Sequence, residues 1–522
     1  MSRLTLGVPG NNFELAVSML LWLGCLRLRN MYSTEKSLAD LLKDPTLIKS
    51  QLFINGKWRE SSDGSKREVI NPATGVRIVE VAMATVDDVK EAISTAQSAF
   101  EKWSKLTALE RSKIMRSWYQ LIMDNVEDLA VILTAEQGKP LTESRGEITY
   151  GASFIEWYAE EGKRLYGETI PTNVASRRLL TIKQPIGVTA AITPWNFPMA
   201  MIARKAGPAL AAGCSMVIKP ATDTPLSALA MAELSHRAGV PAGVLSVIVG
   251  NPRMVAAEIT SNPLVRALSF TGSTEVGKAL MAASAQTVKK VAMELGGNAP
   301  LIVFDDADVD VAVTGAIASK FRNSGQTCVC ANRIIVQAGI HDRFVEELKK
   351  AVAGLLVGNG LDPDTKQGPL INESAVEKVE SHINDALKAG AQIVAGGKRS
   401  PLGATFFEPT ILTGVKEEML VCQEETFGPL AGIVKFTTDD EAIRIANNTP
   451  FGLAAYFFTR DNARVWRVAE ALEAGVVGVN TGLISYEGAP FGGVKESGVG
   501  REGSKHGIEE FLEIKYICID QI

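Results

Sequence analysis

The chain contains few of the residues on which metal sites and disulfide frameworks are built. Its 522 residues include six cysteines and four histidines. The cysteines lie at positions 25, 214, 328, 330, 422 and 518, without the short regular spacings of a disulfide scaffold, which favours a reducing compartment. No two histidines are close in sequence, and Cys328 and Cys330 do not have the usual spacing of a zinc pair. The pattern therefore predicts no metal site.

An excess of positive charge is also missing. The chain has 54 lysines and arginines against 59 acidic residues, without a dense basic run. Nucleic-acid binding needs a basic patch or stripe, so the composition argues against a nucleic-acid partner. The apolar stretch at residues 15–26 is shorter than the roughly 20 residues that a membrane helix needs. We therefore expect no membrane partner either.

The N-terminal segment has the composition of a targeting sequence. Three arginines flank the apolar stretch, and the first 34 residues contain one acidic residue. An arginine-bearing, acid-poor segment is typical of a mitochondrial transit peptide. We assign residues 1–50 to an N-terminal extension and expect import into the mitochondrial matrix. The alternative is a protein of the cytoplasm that starts at Met31.

Helix and strand signals follow one another as in α/β domains. Thr85 caps a segment with apolar residues at helical spacing, and a second long helix is predicted from Ser112 to Gln137, ending at Gly138. From residue 186 onwards, short apolar runs alternate with helical segments, namely IGVTAAIT, SMVIK, LSVIV, ALSFT, APLIVF, NRIIVQ, AQIVAGG and GVVGVN. Such runs predict parallel strands buried on both faces. Two α/β sheets, and a ligand cleft between two major domains, are therefore expected.

A glycine-rich turn follows the predicted strand ALSFT. The stretch GSTEVGKA, residues 272–279, nearly matches a P-loop, but Ala279 stands where a magnesium-binding serine or threonine is required. A P-loop nucleotide switch is therefore not favoured. Two interpretations stay open: an ordinary glycine turn into a helix, or a helix N-terminus at Gly272 and Ser273 that faces the pyrophosphate of a dinucleotide.

Three residues far apart in the chain could together perform acyl transfer. Cys328 lies in FRNSGQTCVCAN, Glu294 in MELGGNAP and Asn196 in TPWNFP. A single cysteine is more often a small packed apolar residue. A nucleophilic thiolate, an amide that stabilises an oxyanion and a carboxylate that activates water nevertheless make a complete catalytic set.

These motifs resemble those of a known family. Together with VIKPATDTP, FTGSTEVGK, EETFGP and PFGGVKESGVGREG, in this order, they are similar to the aldehyde dehydrogenase superfamily from about residue 51 to the C-terminus. Within it, FRNSGQTCVCAN, GLIS and the ARK after WNFP most resemble the branch that oxidises succinate semialdehyde. A catalytically inactive structural relative would share the fold without turnover.

The resemblance implies an α/β fold of three parts. They are a Rossmann-like cofactor-binding domain, an α/β catalytic domain and a small β arm that joins subunits into a homo-oligomer, a dimer or a tetramer. The corresponding boundaries are residues 51–165 and 188–294 for the first, 295–496 for the second, and 166–187 with 497–522 for the arm.

The resemblance also implies the roles of the catalytic set. Cys328 would be the nucleophile, Asn196 and the Cys328 backbone N–H would form the oxyanion hole, and Glu294 would be the base that deacylates the enzyme. The implied reaction is NAD(P)-dependent oxidation of succinate semialdehyde to succinate, in 4-aminobutyrate degradation, through a thiohemiacetal and a thioester. A sister enzyme for glutarate semialdehyde or another acidic aldehyde stays open, because one methylene changes binding by only about 1–3 kcal/mol.

The implied cofactor site draws on several motifs. Its residues are Trp195, Lys219, Thr222, Gly272, Ser273, Glu425 and Phe427. In NAD-preferring members a glutamate stands three residues after the lysine, where this chain has Thr222. Without that carboxylate a 2′-phosphate meets no repulsion, so we expect NADP to be accepted. The alternative is that NAD and NADP serve equally.

Two arginines and a serine are implied to bind the substrate carboxylate: Arg204, Arg322 and Ser485. Each arginine on its own is more often part of a structural ion pair, and a cationic aldehyde such as betaine aldehyde is disfavoured. Cys330 is either a small neighbour of Cys328 or a resolving thiol that forms a reversible disulfide with it under oxidation.

Overall fold

The computed structural model describes residues 37–521. The predicted targeting sequence therefore lies almost entirely outside the described residues. The chain divides into two compact units after Pro45. The described part of the first unit contains the short 3-10 helix Leu38–Leu41. Among the described residues no helix has the length and apolar character needed to cross a membrane.

The second unit contains twenty strands in its described part. In chain order they are β1 (Leu52–Ile54), β2 (Lys57–Arg59), β3 (Lys66–Ile70), β4 (Arg77–Ala82), β5 (Thr169–Ile170), β6 (Arg177–Pro185), β7 (Val188–Ile192), β8 (Ser215–Lys219), β9 (Leu245–Val247), β10 (Val265–Thr271), β11 (Lys290–Glu294), β12 (Ala299–Val303), β13 (Ala331–Gln337), β14 (Gln392–Ala395), β15 (Thr410–Thr413), β16 (Leu430–Phe436), β17 (Ala454–Phe458), β18 (Val476–Val479), β19 (Gly498–Val499) and β20 (Leu512–Asp520).

Helices connect and cover these strands. The α-helices are Val86–Trp103, Ala108–Asp124, Val126–Gln137, Leu141–Glu161, Ala200–Ala212, Leu226–Arg237, Pro252–Ser261, Thr274–Ser284, Val309–Lys320, His341–Ala353, Glu373–Lys388, Leu420–Gln423, Asp439–Asn447 and Asn462–Ala471. Short 3-10 helices follow at Pro45–Leu47, Gly162–Arg164, Ala285–Thr287, Arg322–Gly325, Lys495–Ser497 and Gly507–Phe511.

The first large sheet has eight strands in the order β19-β11-β10-β7-β8-β9-β1-β2. Its centre, from β11 to β9, is parallel, and the pairs at both edges are antiparallel. The chain first adds β8 and β9 on one side of β7, and then β10 and β11 on the other side. Ligands bind α/β sheets at the carboxyl ends of the strands where the order reverses in this way, here between β7 and its neighbours.

The second large sheet has seven strands in the order β14-β15-β16-β13-β12-β17-β18. All its pairs are parallel except that of β14 with β15. A small antiparallel sheet, β20-β6-β5, is separate from both, and β3 pairs with β4 alone. The predicted strands are present, and the prediction of two α/β sheets is confirmed. The prediction of a buried parallel strand is wrong for AQIVAGG, which forms the partly exposed antiparallel edge strand β14.

One predicted helix is wrong in its extent. The segment expected to be a single helix from Ser112 to Gln137 is two helices, which meet at Asn125. The Asn125 backbone leaves the helical region (φ −112°, ψ 18°), and its side-chain Nδ2 donates to the Leu121 carbonyl at 2.7 Å. Asparagine competes for backbone groups in this way, which ends one helix before the next begins. The predicted end at Gly138 is confirmed, with φ 95°.

Candidate active site

The parallel strands of the first sheet bring the predicted residues to one edge. Trp195 and Asn196 follow β7, and Lys219 ends β8. Gly272 follows β10, and its N–H donates to the Glu294 carbonyl, at the end of β11, at 3.1 Å. Residues separated by about 100 positions therefore share one crevice, because the carboxyl ends of parallel strands lie on the same side of a sheet.

A left-handed turn presents the cysteine loop to this crevice. Asn323, Ser324 and Gly325 have φ angles of 50°, 56° and 76°. Only glycine fits the last position, since a Cβ there would lie 2.1 Å from the Gly428 carbonyl oxygen. Non-glycine residues in this region cost about 1–3 kcal/mol each and persist only where the surroundings hold them. Here Glu143 Oε2 accepts the Asn323 N–H at 2.8 Å.

The side chain of Asn196 lies directly against the cysteine loop. Its Nδ2 donates to the Gln326 backbone carbonyl at 2.9 Å, and the Asn196 backbone carbonyl accepts from Asn323 Nδ2 at 3.1 Å. An amide group carries two N–H bonds, so one is left to donate elsewhere. The position suits a donor to an oxyanion that forms beside Cys328.

A buried ion pair supports the backbone of Asn196. Lys139 Nζ donates to Glu147 Oε2 at 2.6 Å and to the Asn196 carbonyl at 2.7 Å. Glu147 Oε1 in turn accepts the N–H groups of Met199 and Ala200, at 3.0 and 3.2 Å. The sequence analysis missed Lys139 and Glu147, because nothing in their spacing links them to a residue more than 45 positions away.

Glu294 combines deep burial with a free oxygen. Its side chain is 4% exposed, and Oε2 has no hydrogen-bond partner. Burial, and then the nearby Glu502, raise the pKa of the Glu294 carboxyl well above its usual range, against the opposing charges of Arg204 and Lys205. A carboxylate with a raised pKa is a stronger base near neutral pH, and its free oxygen can take a proton from water.

Glu502 is a second buried carboxylate that the sequence analysis missed, although it lies in the quoted GVGREG stretch. It pairs with Arg204, with Nε and Oε2 2.6 Å apart, and with Lys205. Lys205 Nζ also donates to Thr271 Oγ1 at 2.6 Å. Burial by itself would raise the pKa of Glu502, but Lys205 and Arg204 outweigh it and lower that pKa. Glu502 therefore stays ionised, and its negative charge contributes to the raised pKa of Glu294.

The thiol of Cys328 is partly buried and unmodified. Burial, together with Glu425, raises its pKa to about 12, while Arg204 acts in the opposite direction. At neutral pH the thiol is therefore protonated, and attack on an electrophile requires that a base take its proton. Glu294 lies within electrostatic range of this sulfur.

The predicted cofactor residues line the same edge and fit a dinucleotide. Ser273 caps the helix Thr274–Ser284, so the near P-loop is a helix N-terminus at the crevice. Lys219 is 3% exposed, and burial lowers its pKa to about 8, with Asp223 opposing. A buried lysine at a strand end suits a ribose or a phosphate group.

Two residues of the EETFGP loop contact Gly297 and Trp195 at this crevice. Glu425 Oε1 accepts the Gly297 N–H at 3.1 Å, and burial raises the pKa of Glu425 to about 7. Phe427 has φ 56°, and its ring packs edge-on against Trp195 with centroids 5.5 Å apart. A carboxyl group and an aromatic ring in one loop would suit the ribose hydroxyls and the flat ring of a nicotinamide nucleotide.

The two predicted substrate arginines have different surroundings. Arg204 is paired with Glu502 and stacks on Phe491, 4.1 Å from the ring centre, yet its Nη2 has no hydrogen-bond partner. Arg322 lies 5.5 Å from the ring centre of Phe197, and its buried Nε has no partner. Both guanidinium groups therefore keep N–H donors for a further group.

Cys330 is buried beside the catalytic loop. Its sulfur accepts a hydrogen bond from Thr327 Oγ1 at 3.0 Å and donates to the Lys320 carbonyl at 3.5 Å. Neither Cys328 nor Cys330 is in a disulfide. A reversible disulfide between them stays a prediction, since the sulfur of Cys330 would have to leave both contacts to form it.

Known proteins match this chain over most of its length. The family model described as "Aldehyde dehydrogenase family" matches residues 58–517. Succinate-semialdehyde dehydrogenase [NADP(+)] of Escherichia coli is 60% identical over 478 residues, 92% of this chain and 99% of the relative. Glutarate-semialdehyde dehydrogenase of Pseudomonas aeruginosa is 58% identical over 481 residues, 92% of this chain and 100% of the relative.

A solved structure shows the same fold. The crystal structure of succinate-semialdehyde dehydrogenase from Burkholderia pseudomallei superposes with a TM-score of 0.91 at 60% identity, covering 92% of this chain and 99% of that one. The likeness confirms the predicted three-sheet fold. The domain boundaries and the roles of individual site residues stay predictions.

Proposed function

The chain belongs to the aldehyde dehydrogenase family and is an NAD(P)-dependent aldehyde dehydrogenase, and from this premise we propose that it oxidises succinate semialdehyde to succinate. The observation that carries the proposal is the pair of unpartnered guanidinium donors on Arg204 and Arg322. A buried donor without a partner costs about 1–3 kcal/mol. The carboxylate of an acidic aldehyde would satisfy both donors and match their charge.

The residues of the crevice account for each step of this reaction. Glu294 takes the thiol proton of Cys328, and the sulfur attacks the aldehyde carbon while the Asn196 amide and the Cys328 N–H hold the oxygen. A bound nicotinamide supplies the acceptor for the hydride of that carbon. Glu294 passes that proton to solvent, and in its ionised form it then takes a proton from water, which attacks the thioester. The carbon–sulfur bond breaks, the acid leaves and the thiol is restored.

Replacing Arg322 with alanine tests the substrate. We expect kcat/KM for succinate semialdehyde to fall roughly 10- to 100-fold, because a charge-assisted hydrogen bond to the carboxylate is lost. Butanal has the same chain length without the carboxylate, so its kcat/KM should change little. Steady-state rates of cofactor reduction with both aldehydes give the comparison. Equal losses on the two would show that Arg322 only supports the fold, and Arg322→Lys, which keeps the charge, should recover part of the loss.

The alternative substrate, glutarate semialdehyde, differs by one methylene. It is supported by the 58% identity to the Pseudomonas aeruginosa relative, close to the 60% of the Escherichia coli one. Both aldehydes end in a carboxylate, so the arginines serve either one. The ratio of kcat/KM for the two semialdehydes, measured on the same preparation, decides between them, and a higher value for glutarate semialdehyde would replace the primary proposal.

We further propose that the cofactor site accepts NADP. Thr222 places no negative charge three residues after Lys219. Arg67 lies within electrostatic range of Lys219 and pairs with Asp223, with Nη2 and Oδ1 2.9 Å apart. The half-exposed Arg67 can therefore provide a second positive charge for a 2′-phosphate. Arg67 precedes Lys219 by 152 positions, which is why the sequence analysis did not find it.

Replacing Thr222 with glutamate should move the preference towards NAD. The new carboxylate would repel a 2′-phosphate, and we expect the ratio of kcat/KM for NADP to that for NAD to fall roughly 10-fold or more. Thr222→Gln is the matched control, since it adds similar bulk without charge and should leave the ratio close to that of the wild type. A ratio that falls equally in both variants would assign the effect to size, and the charge argument would be wrong.

The small antiparallel sheet supports the expected assembly into a homo-oligomer. Ile514, Tyr516 and Ile519 of β20 are 69%, 57% and 41% exposed. A strand with several exposed apolar side chains is typical of an interface. Whether the assembly is a dimer or a tetramer, and whether the chain enters mitochondria, stay predictions.

A further inference from the structure

A buried tyrosine hydroxyl near the two arginines has no partner. Tyr150 lies on the helix Leu141–Glu161, and its ring packs edge-on against Phe154 with centroids 5.0 Å apart. Its hydroxyl oxygen is inaccessible to solvent, and the Ser485 hydroxyl lies near it without the geometry of a hydrogen bond. Buried hydroxyl groups almost always have a partner. This one therefore points to a ligand group that the fold itself does not supply.

The surroundings of this hydroxyl define the chemistry of that group. Burial raises the pKa of Tyr150, while Arg204, Ser485 and Arg322 act in the opposite direction. The phenol is therefore protonated at neutral pH and can donate a hydrogen bond. Its neighbours are two cations, a serine hydroxyl and the carboxylate of Glu502, which Arg204 and Lys205 already pair. The cations and the serine hydroxyl favour a small anion as the acceptor.

The charges near the hydroxyl favour an anionic ligand group. Arg204 and Lys205 share the single carboxylate of Glu502. Arg322 adds a further positive charge within electrostatic range of Glu143, whose pKa burial raises. A carboxylate has two oxygens that together accept about four hydrogen bonds. A phenol adds one of these donors without adding a charge.

We propose that Tyr150 is a further specificity-determining residue, whose hydroxyl donates a hydrogen bond to the terminal carboxylate of the substrate beside the two arginines. This inference rests on the proposed acidic-aldehyde substrate. It extends the carboxylate site to the helix Leu141–Glu161, which also carries Glu147 and so supports Asn196. One helix then contributes to both ends of the bound aldehyde.

The test is Tyr150→Phe, which removes only the hydroxyl. We expect KM for succinate semialdehyde to rise roughly 10-fold, with kcat unchanged and KM for butanal unchanged. Because the removed hydroxyl has no partner in the protein, the thermal unfolding midpoint without substrate should not fall. A structural hydrogen bond to Ser485 would instead lower the midpoint and affect both aldehydes, and that result would overturn the proposal.

Tyr158→Phe is the matched control. Tyr158 lies two turns further along the same helix, and its hydroxyl is also buried without a partner, but it adjoins Gly507 and Glu502. Its ratio of KM for the two aldehydes should equal that of the wild type.

If the wild type prefers the acidic aldehyde and Tyr150→Phe keeps that preference in full, the role of Tyr150 is wrong and the proposed function stands. If the wild type shows no preference, both fall.

Discussion

Replacing Cys328 with alanine is expected to lower turnover of succinate semialdehyde by more than about 10⁴-fold, as removal of a nucleophile does in other enzymes that use covalent catalysis. The thiol is the one described group in the crevice that can form a covalent bond to the aldehyde carbon and later release an acid. Cofactor binding should be nearly unchanged, because Lys219 and Glu425, which we propose to bind the cofactor, are not altered. Steady-state rates and titration of cofactor fluorescence measure the two properties separately.

Cys330→Ala is the control for Cys328→Ala. It removes a thiol from the same loop, at a buried position whose contacts are with Thr327 and Lys320, and it should retain activity under reducing conditions. If Cys328→Ala kept more than a few per cent of the wild-type rate, or if both variants lost activity together, the covalent step would have to be reassigned.

Glu294→Gln is expected to stop the reaction after its first half. The amide has the shape of the carboxyl but cannot take a proton from water, so hydrolysis of the thioester should slow by about 10²- to 10⁴-fold, the usual contribution of a general base. Solvent can take the thiol proton in place of Glu294, although more slowly, so the acyl-enzyme still forms. Rapid mixing should then show a burst of about one reduced cofactor per site, followed by a slow steady rate.

The pH dependence gives an independent check on Glu294. Burial and Glu502 raise its pKa, so the ionised base becomes more abundant as pH rises, and the wild-type deacylation rate should increase with pH through that raised value. Glu294→Gln should lose this dependence. A missing burst would show that Glu294 is needed already for attack by Cys328, and a pH profile unchanged in the variant would exclude Glu294 as the titrating base.

Local patterns in the sequence were enough to predict the fold class and the catalytic candidates. Short apolar runs separated by helical segments predicted the parallel strands, because a strand buried on both faces carries apolar side chains on both. Asn196 follows β7 and Glu294 ends β11, at the edge where a parallel sheet collects its functional side chains, whereas Cys328 lies in the loop before β13. Resemblance in the motifs then gave their roles, which no spacing could supply.

The sequence pattern gave a wrong helix boundary where one side chain forms a hydrogen bond that interrupts the helix. The helix predicted through Asn125 is two helices, because the asparagine side chain bonds to the Leu121 carbonyl. Helical spacing of apolar residues continues across the break, so periodicity could not reveal it.

Tertiary structure alone decided the partners of the buried charges. Arg204 and Arg322 look equivalent in sequence, yet Glu502, 298 positions after Arg204, pairs with that arginine and leaves Nε of Arg322 without a partner. Lys139 donates to the Asn196 carbonyl, and Tyr150 lies within electrostatic range of both arginines, although these residues are on elements distant in the chain. The energy of a buried charge or hydroxyl depends on what lies within a few ångströms of it, and a one-dimensional pattern does not contain that distance.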